Sequence, residues 1–172
     1  MATYYQAITT EQEALIKNSN LFFVGSADPT LTVGPEGVGP VNLSPKGGVP
    51  LHILSPSSVA YLDYSGSGNE TARHAIAGGP VTLMFCSFEE GDPAVVRLYG
   101  KATVTSLGDS PYGPLLQSQI ADEGIGLEER QVITIDIEST ATSCGYGVPV
   151  LQFVKQRNRD QRGTAYKGSG RN

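Results

Sequence analysis

Apolar residues fall along this chain in short bursts, separated by glycine- and proline-rich breaks, and most bursts carry the spacing of strands. Leu21-Phe22-Phe23-Val24 is a continuous apolar run of strand length, and Val59-Ala60-Tyr61-Leu62-Asp63-Tyr64 reads as a better strand. Val81 to Phe88 and Val95 to Ser106 form the clearest strand pair, separated by the polar turn Glu89-Glu90-Gly91-Asp92-Pro93. Gln131 to Glu138 alternates. Val132 disputes the buried face with Ile133, Ile135 and Ile137, and the period favours the three isoleucines. Asn42 to Lys46 has extended character, but Pro45 cannot donate to a ladder, which suits a strand end or an edge. Helical signals are fewer. Thr10-Glu11-Gln12-Glu13 reads as a capping box opening a helix through about Asn18. Thr71 to Ala77 reads as a short helix stopped by Gly78-Gly79-Pro80, and Pro114 to Asp122 as a third. Five or six strands with a few short helices predict a mainly β barrel or an α+β domain.

Composition narrows the class. With 172 residues the chain fits one domain of common size, and its 21 Gly and 11 Pro favour many short elements joined by turns. No apolar run reaches the ~18 residues of a membrane helix, so no membrane association is expected. Met1 to Thr10 has neither a basic start nor an apolar stretch, so no export signal is expected either. Cys86 and Cys144 make neither a disulfide framework nor a zinc set, and the carboxylates are scattered, so no metal is expected. Reduced thiols and the lack of an export signal point to the cytoplasm. The net charge of −5 is unevenly placed. Residues 155–172 hold six basic side chains against Asp160 alone, a net +5, which leaves −10 on residues 1–154. An acidic body with a short basic tail is not a nucleic-acid-binding domain by charge. The division is therefore one domain over residues 1–154 and a basic polar tail over 155–172. The tail reads either as a solvated extension or as a source of a cation for a phosphate.

Three segments could carry chemistry. In Tyr64-Ser65-Gly66-Ser67-Gly68-Asn69-Glu70-Thr71-Ala72-Arg73 a strand ends, a glycine-rich turn follows and a helix begins. Such a turn presents backbone N–H groups to an anion, with Ser67, Asn69 and Thr71 as neutral donors and Arg73 as a charge. It is neither a Walker loop nor a dinucleotide fingerprint, and a purely structural turn fits the same residues. Asn42-Leu43-Ser44-Pro45-Lys46-Gly47 places a lysine beside hydrogen-bonding side chains, fit for a phosphate or the polar edge of a ring, or for a plain surface turn. Cys144-Gly145-Tyr146-Gly147-Val148-Pro149 leaves Tyr146 free either to stack on a ligand or to pack in a tight turn. Cys86 reads as a small core residue and His52 as a packed one. No serine sits in a nucleophile elbow, and no catalytic residue is singled out.

These segments, in this order, resemble the pyridoxamine 5′-phosphate oxidase-like family of FMN-binding split barrels, from about residue 10 to residue 150. The pieces that carry the resemblance are residues 41–47, 61–71, Val96-Arg97-Leu98-Tyr99-Gly100-Lys101-Ala102 and Ser143 to Pro149. The resemblance implies a six-stranded antiparallel split barrel and a homodimer with FMN at the subunit interface. It implies an FMN-dependent oxidoreductase acting on a small organic molecule, with binding of a flavin or another small ligand without turnover, or a cofactor-free enzyme reusing the cleft, as alternatives. By position, Asn42, Leu43, Ser44, Pro45 and Lys46 would run along the flavin ring. Ser67, Asn69, Thr71 and Arg73 would hold the phosphate, Arg97 would make a polar contact near the cofactor, and Tyr146 would cover the substrate pocket. One departure stands out. The family's oxidases carry a Ser-Arg-Lys run in the phosphate turn, where this chain reads Glu70-Thr71-Ala72. Two cations are absent and an anion is added, and this chain has no Trp to match the one near the oxidase C-terminus, so pyridoxamine phosphate oxidation itself is not expected.

Overall fold

The structure, a computed structural model, describes residues 1–66, 68–118, 126–157, 163 and 166. Eight strands alternate with short helices: β1 (Thr3–Tyr5), α1 (Thr10–Asn18), β2 (Leu21–Ala27), β3 (Val41–Gly47), β4 (His52–Ser55), β5 (Ser58–Tyr64), α2 (Glu70–Ile76), β6 (Pro80–Cys86), β7 (Ala94–Ser106), α3 (Gly113–Ser118) and β8 (Glu129–Cys144). They form one antiparallel sheet in the order β3-β2-β6-β7-β8-β5-β4, with β1 pairing the far end of β8. The architecture is mainly β, as expected. The implied count of six strands is corrected to eight among the described residues, and the end strands β3 and β4 share no ladder. The two extra strands, β1 and β4, are three and four residues long, too short to show a period.

Curvature follows from the two longest strands. β7 and β8 pair over thirteen positions, broken by a bulge at Tyr99/Gly100. A side chain at Gly100 would collide with the Asp136 carbonyl, so only glycine lets the strands approach there. The sheet curls far enough that Phe22 on β2 and Tyr61 on β5 meet edge to face at 5.7 Å, although three strands separate them in the sheet order. Phe85 stacks on Phe22 at 5.5 Å. The interior so formed holds Val24, Leu83, Leu98, Ile133 and Ile135, each essentially without exposure.

The disputed face of β8 resolves into two buried faces. Ile133, Ile135 and Ile137 line the interior, while Val132 faces outward into a second cluster with Ala60, Leu62 and Leu116 of α3. Period selected the interior face correctly, but α3 covers the other. The predicted third helix is observed only over Gly113–Ser118, and its continuation to Asp122 lies outside the described residues. The first helix begins one residue earlier than the expected box. Thr9 is the cap, and Thr9 and Gln12 exchange side-chain bonds with each other's backbone N–H. Gln12 takes that place because its buried amide also joins β8, donating to Thr142 Oγ1 and accepting from Thr140 Oγ1, both at 2.9 Å.

Candidate functional site

Strand β3 lies at the sheet edge and alternates strictly, with Asn42, Ser44 and Lys46 half-buried on the inner side and Val41, Leu43 and Pro45 exposed on the outer side. The inner row borders a cleft of about 440 Å³, whose far wall is made by Gly66, Gly68, Asn69, the start of α2 and Arg130 at the beginning of β8. Asn42 Nδ2 donates to Ser44 Oγ at 2.9 Å and to Thr71 Oγ1 at 3.3 Å, tying β3 to the first turn of α2. Lys46 Nζ donates to Asp63 Oδ1 at 2.9 Å and stands 5.6 Å from the centre of the Tyr61 ring. Four strands lie between β3 and β5 in the sheet order, so this ion pair spans the opening that no ladder closes.

Asp63 is the hub of the cleft. Its Oδ2 accepts from Arg130 Nε at 3.2 Å and Nη2 at 2.5 Å, and from Gln131 Nε2 at 2.9 Å. Gln131 Nε2 also donates to Asn69 Oδ1 at 3.0 Å, and Arg130 Nη2 to the Gly68 carbonyl at 3.2 Å. Burial works to raise the Asp63 pKa, but the Arg130 hydrogen bonds and the Lys46 charge outweigh it and hold the carboxyl below its usual range. The carboxylate is thus ionised, and it fixes both cations at the cleft wall.

Of the residues expected to bind a cofactor, Asn42, Ser44, Lys46, Asn69 and Thr71 come together here. Leu43 and Pro45 belong to the same strand, but their side chains point away from the cleft, as alternation requires. Ser67 lies outside the described residues. Arg73 is not in the cleft. Its guanidinium pairs with Asp28 at 3.7 Å and lies 3.0 Å from His74 Nε2, against the loop that contains Gly34. Arg97 is also elsewhere, donating to Ser143 Oγ at 3.1 Å, because Val96 and Leu98 take the interior positions of β7. Tyr146 is 93% exposed and lines no described cleft.

A second cleft of about 410 Å³ lies between the end of α1, the ends of β2 and β6, and residues 151–153. Leu15, Leu21, Phe88 and Phe153 wall it, and it contains none of the expected residues. Its Cys86 is half-buried, and burial pushes the thiol pKa up despite the Arg97 charge, the wrong direction for a nucleophile. Among the described residues no cluster of His, Cys, Asp and Glu could hold a metal ion. Among the same residues no helix is long and apolar enough to cross a membrane.

Over 157 residues, 90% of its length, the chain is 35% identical to a pyridoxamine 5′-phosphate oxidase family protein, UstO, of Aspergillus flavus. Along most of its length the chain is thus similar to a protein of the pyridoxamine 5′-phosphate oxidase family. It spans 59% of the length of that curated relative. No family model matches the sequence. Solved structures with the same fold include a candidate pyridoxamine 5′-phosphate oxidase from Lactobacillus delbrueckii. Its TM-score is 0.56 and its identity 23%, over 79% of this chain and 94% of that one. An FMN-binding protein from Syntrophomonas wolfei has a TM-score of 0.54 at 10% identity, over 74% of this chain and 80% of that one.

The sequence reading missed Asp63, Arg130 and Gln131. Asp63 sits in a strand read only for its apolar positions. Arg130 follows Glu128-Glu129 in no motif, and it reaches Gly68 from 62 residues away. The one signal available was the departure at Glu70-Thr71-Ala72, which asks for a cation from elsewhere. The structure supplies Arg130 at that turn, while Arg73 points to the opposite side of α2.

Proposed function

We propose that this chain holds FMN in the cleft between β3 and α2 and acts as an FMN-dependent oxidoreductase on a small organic molecule, as a homodimer with the sites at the subunit interface. The observation that carries the reading is the convergence of Asn42, Ser44 and Lys46, alternate side chains of one strand, with Asn69, Thr71 and Arg130 around a single cleft. Its volume is in the range of small-molecule sites. The family, and a neighbour of the same fold that binds FMN, support the choice of ligand.

The fit can be judged from the donors present. Asn42, Ser44 and Lys46 place amide, hydroxyl and ammonium donors in a row, the complement of a ring edge made of carbonyl and ring-nitrogen acceptors. Lys46 is positioned by Asp63, and Asn42 by Ser44 and Thr71, so the row is pre-arranged. Arg130, Asn69 and Thr71 stand on the facing wall, beside Gly68, where they would hold the phosphate. A bound flavin supplies hydride and electron exchange. The chain's own part is to bind and orient the ring and its substrate.

The test is the visible absorption spectrum of the purified protein, before and after addition of FMN and passage through a desalting column. Flavin bands that travel with the protein are expected, and complete release of added FMN overturns the reading. Lys46→Ala should weaken FMN binding by about 1.5–3 kcal/mol, the worth of a charge-assisted hydrogen bond. Unchanged affinity in a fluorescence titration would remove Lys46 from the site.

A further inference from the structure

We propose that Glu70 sets the charge this cleft accepts, so that the site selects its flavin by the ring and gains little from the phosphate. The inference rests on the flavin reading of the cleft. Four charged side chains line the cleft among the described residues: Lys46 and Arg130, Asp63 and Glu70. Both cations are already bound to Asp63. Glu70 pairs with no cation among the described residues, and its carboxylate folds back against Gly68 so closely that a side chain at residue 68 would run into it.

This places a carboxylate on the cleft wall where Arg130 reaches the Gly68 carbonyl. A phosphomonoester brings about −1.5 to −2 charge at neutral pH. Arg130 has Nη1 donors to spare for it, but the charge of Arg130 is already balanced by Asp63, and Glu70 repels the incoming anion. A neutral ribityl chain meets no such opposition, because Asn69, Thr71 and the Gly68 carbonyl offer it uncharged partners. Glycine at residue 68 suits this arrangement, since a Cβ there would meet the Glu70 carboxylate and turn that flexible side chain aside.

The experiment titrates the full chain and its Glu70→Gln variant with riboflavin and with FMN, following flavin fluorescence. The wild-type protein should bind the two within about threefold of one another, and Glu70→Gln should tighten FMN by about tenfold as a like charge is removed. Riboflavin should stay within about twofold in the variant, which also shows that the variant is folded. FMN bound far more tightly than riboflavin by the wild-type chain overturns the inference. So does a variant in which both flavins shift equally or neither does. If riboflavin binds in any of these cases, the flavin reading survives the loss of Glu70's role; if neither flavin binds either protein, that reading falls and takes this one with it.

Discussion

Asp63 serves two cations with one carboxylate, and that sharing decides how acid acts on this residue. Its pKa lies below the ordinary value in the folded chain, so the unfolded chain takes up its proton first as pH falls. The stability it contributes is complete above the ordinary carboxylate pKa and is lost as pH falls through the lower, folded value. Asp63→Asn should therefore destabilise the protein at neutral pH by about 1–3 kcal/mol and flatten the acid limb of its stability profile. Denaturant midpoints between pH 3 and pH 7 check both. Two positions earlier, Tyr61 presents the opposite case. Its ring is fully buried against Phe22, and its hydroxyl has no hydrogen-bond partner among the described residues. Burial above all, and then the Asp63 charge, push its pKa up, so it stays neutral and unpaired. Tyr61→Phe removes an unsatisfied hydroxyl and keeps the ring, and should raise stability by about 1 kcal/mol. A lower Tm would show that the hydroxyl has a partner after all.

At the scale of elements, α2 is held to the loop after β2 by a chain of contacts that fixes a tautomer. His74 Nε2 lies 3.0 Å from an Arg73 nitrogen, which can only donate, so Nε2 accepts and Nδ1 carries the proton. Nδ1 then donates to Ser26 Oγ at 2.9 Å, which makes this serine an acceptor and excludes an activated Ser-His pair. Burial first, and the neighbouring Arg73 charge second, lower the His74 pKa. The unfolded chain is protonated at its ordinary value while the folded one is not, so this contribution is complete above about pH 6.5 and declines as pH falls below it. Gly34→Ala should test the same contact, since a methyl there meets the Arg73 guanidinium and must push it from Asp28. A loss of about 1 kcal/mol is expected from denaturant midpoints, smaller in an Arg73→Ala background. None of this could be read from the sequence. Periodicity placed β2, β5, β6 and β7 and most of α2, because their apolar spacing is local. Arg73 was expected at the ligand from its place in the turn, but its direction is set by Asp28, a residue 45 positions away. Arg130 fails to show for the same reason. Asn42, Ser44, Lys46, Asn69 and Thr71 were legible because alternation along one strand and position in one turn were enough to bring them together.

For the whole molecule, the decisive fact is that the curled sheet ends in two edges joined by side chains. Lys46 and Asp63 span the opening, with backbone ladders only to either side. An edge strand that exposes apolar side chains invites a partner unless it is guarded. Pro45 guards β3 in part, since it has no N–H to offer, but Val41 and Leu43 remain 66% exposed on its outer side. The same strand's inner side forms the wall of the cleft, so a partner seated on the outer side would fix the row of Asn42, Ser44 and Lys46 from behind. The homodimer proposed above thus has a direct consequence: association and flavin affinity should fall together. Sedimentation velocity at micromolar concentration should give a dimer for the wild-type chain and a monomer for Leu43→Asp, because a desolvated carboxylate in an apolar contact costs several kcal/mol. The exposed position makes misfolding of this variant easy to exclude by its unfolding midpoint, expected within about 0.5 kcal/mol of the wild type when compared as monomers. Flavin affinity in the same variant should drop by about tenfold or more, as pre-arrangement of β3 is lost. A monomer that keeps full affinity would separate the cleft from the interface, and a dimer that survives Leu43→Asp would move the interface to another face.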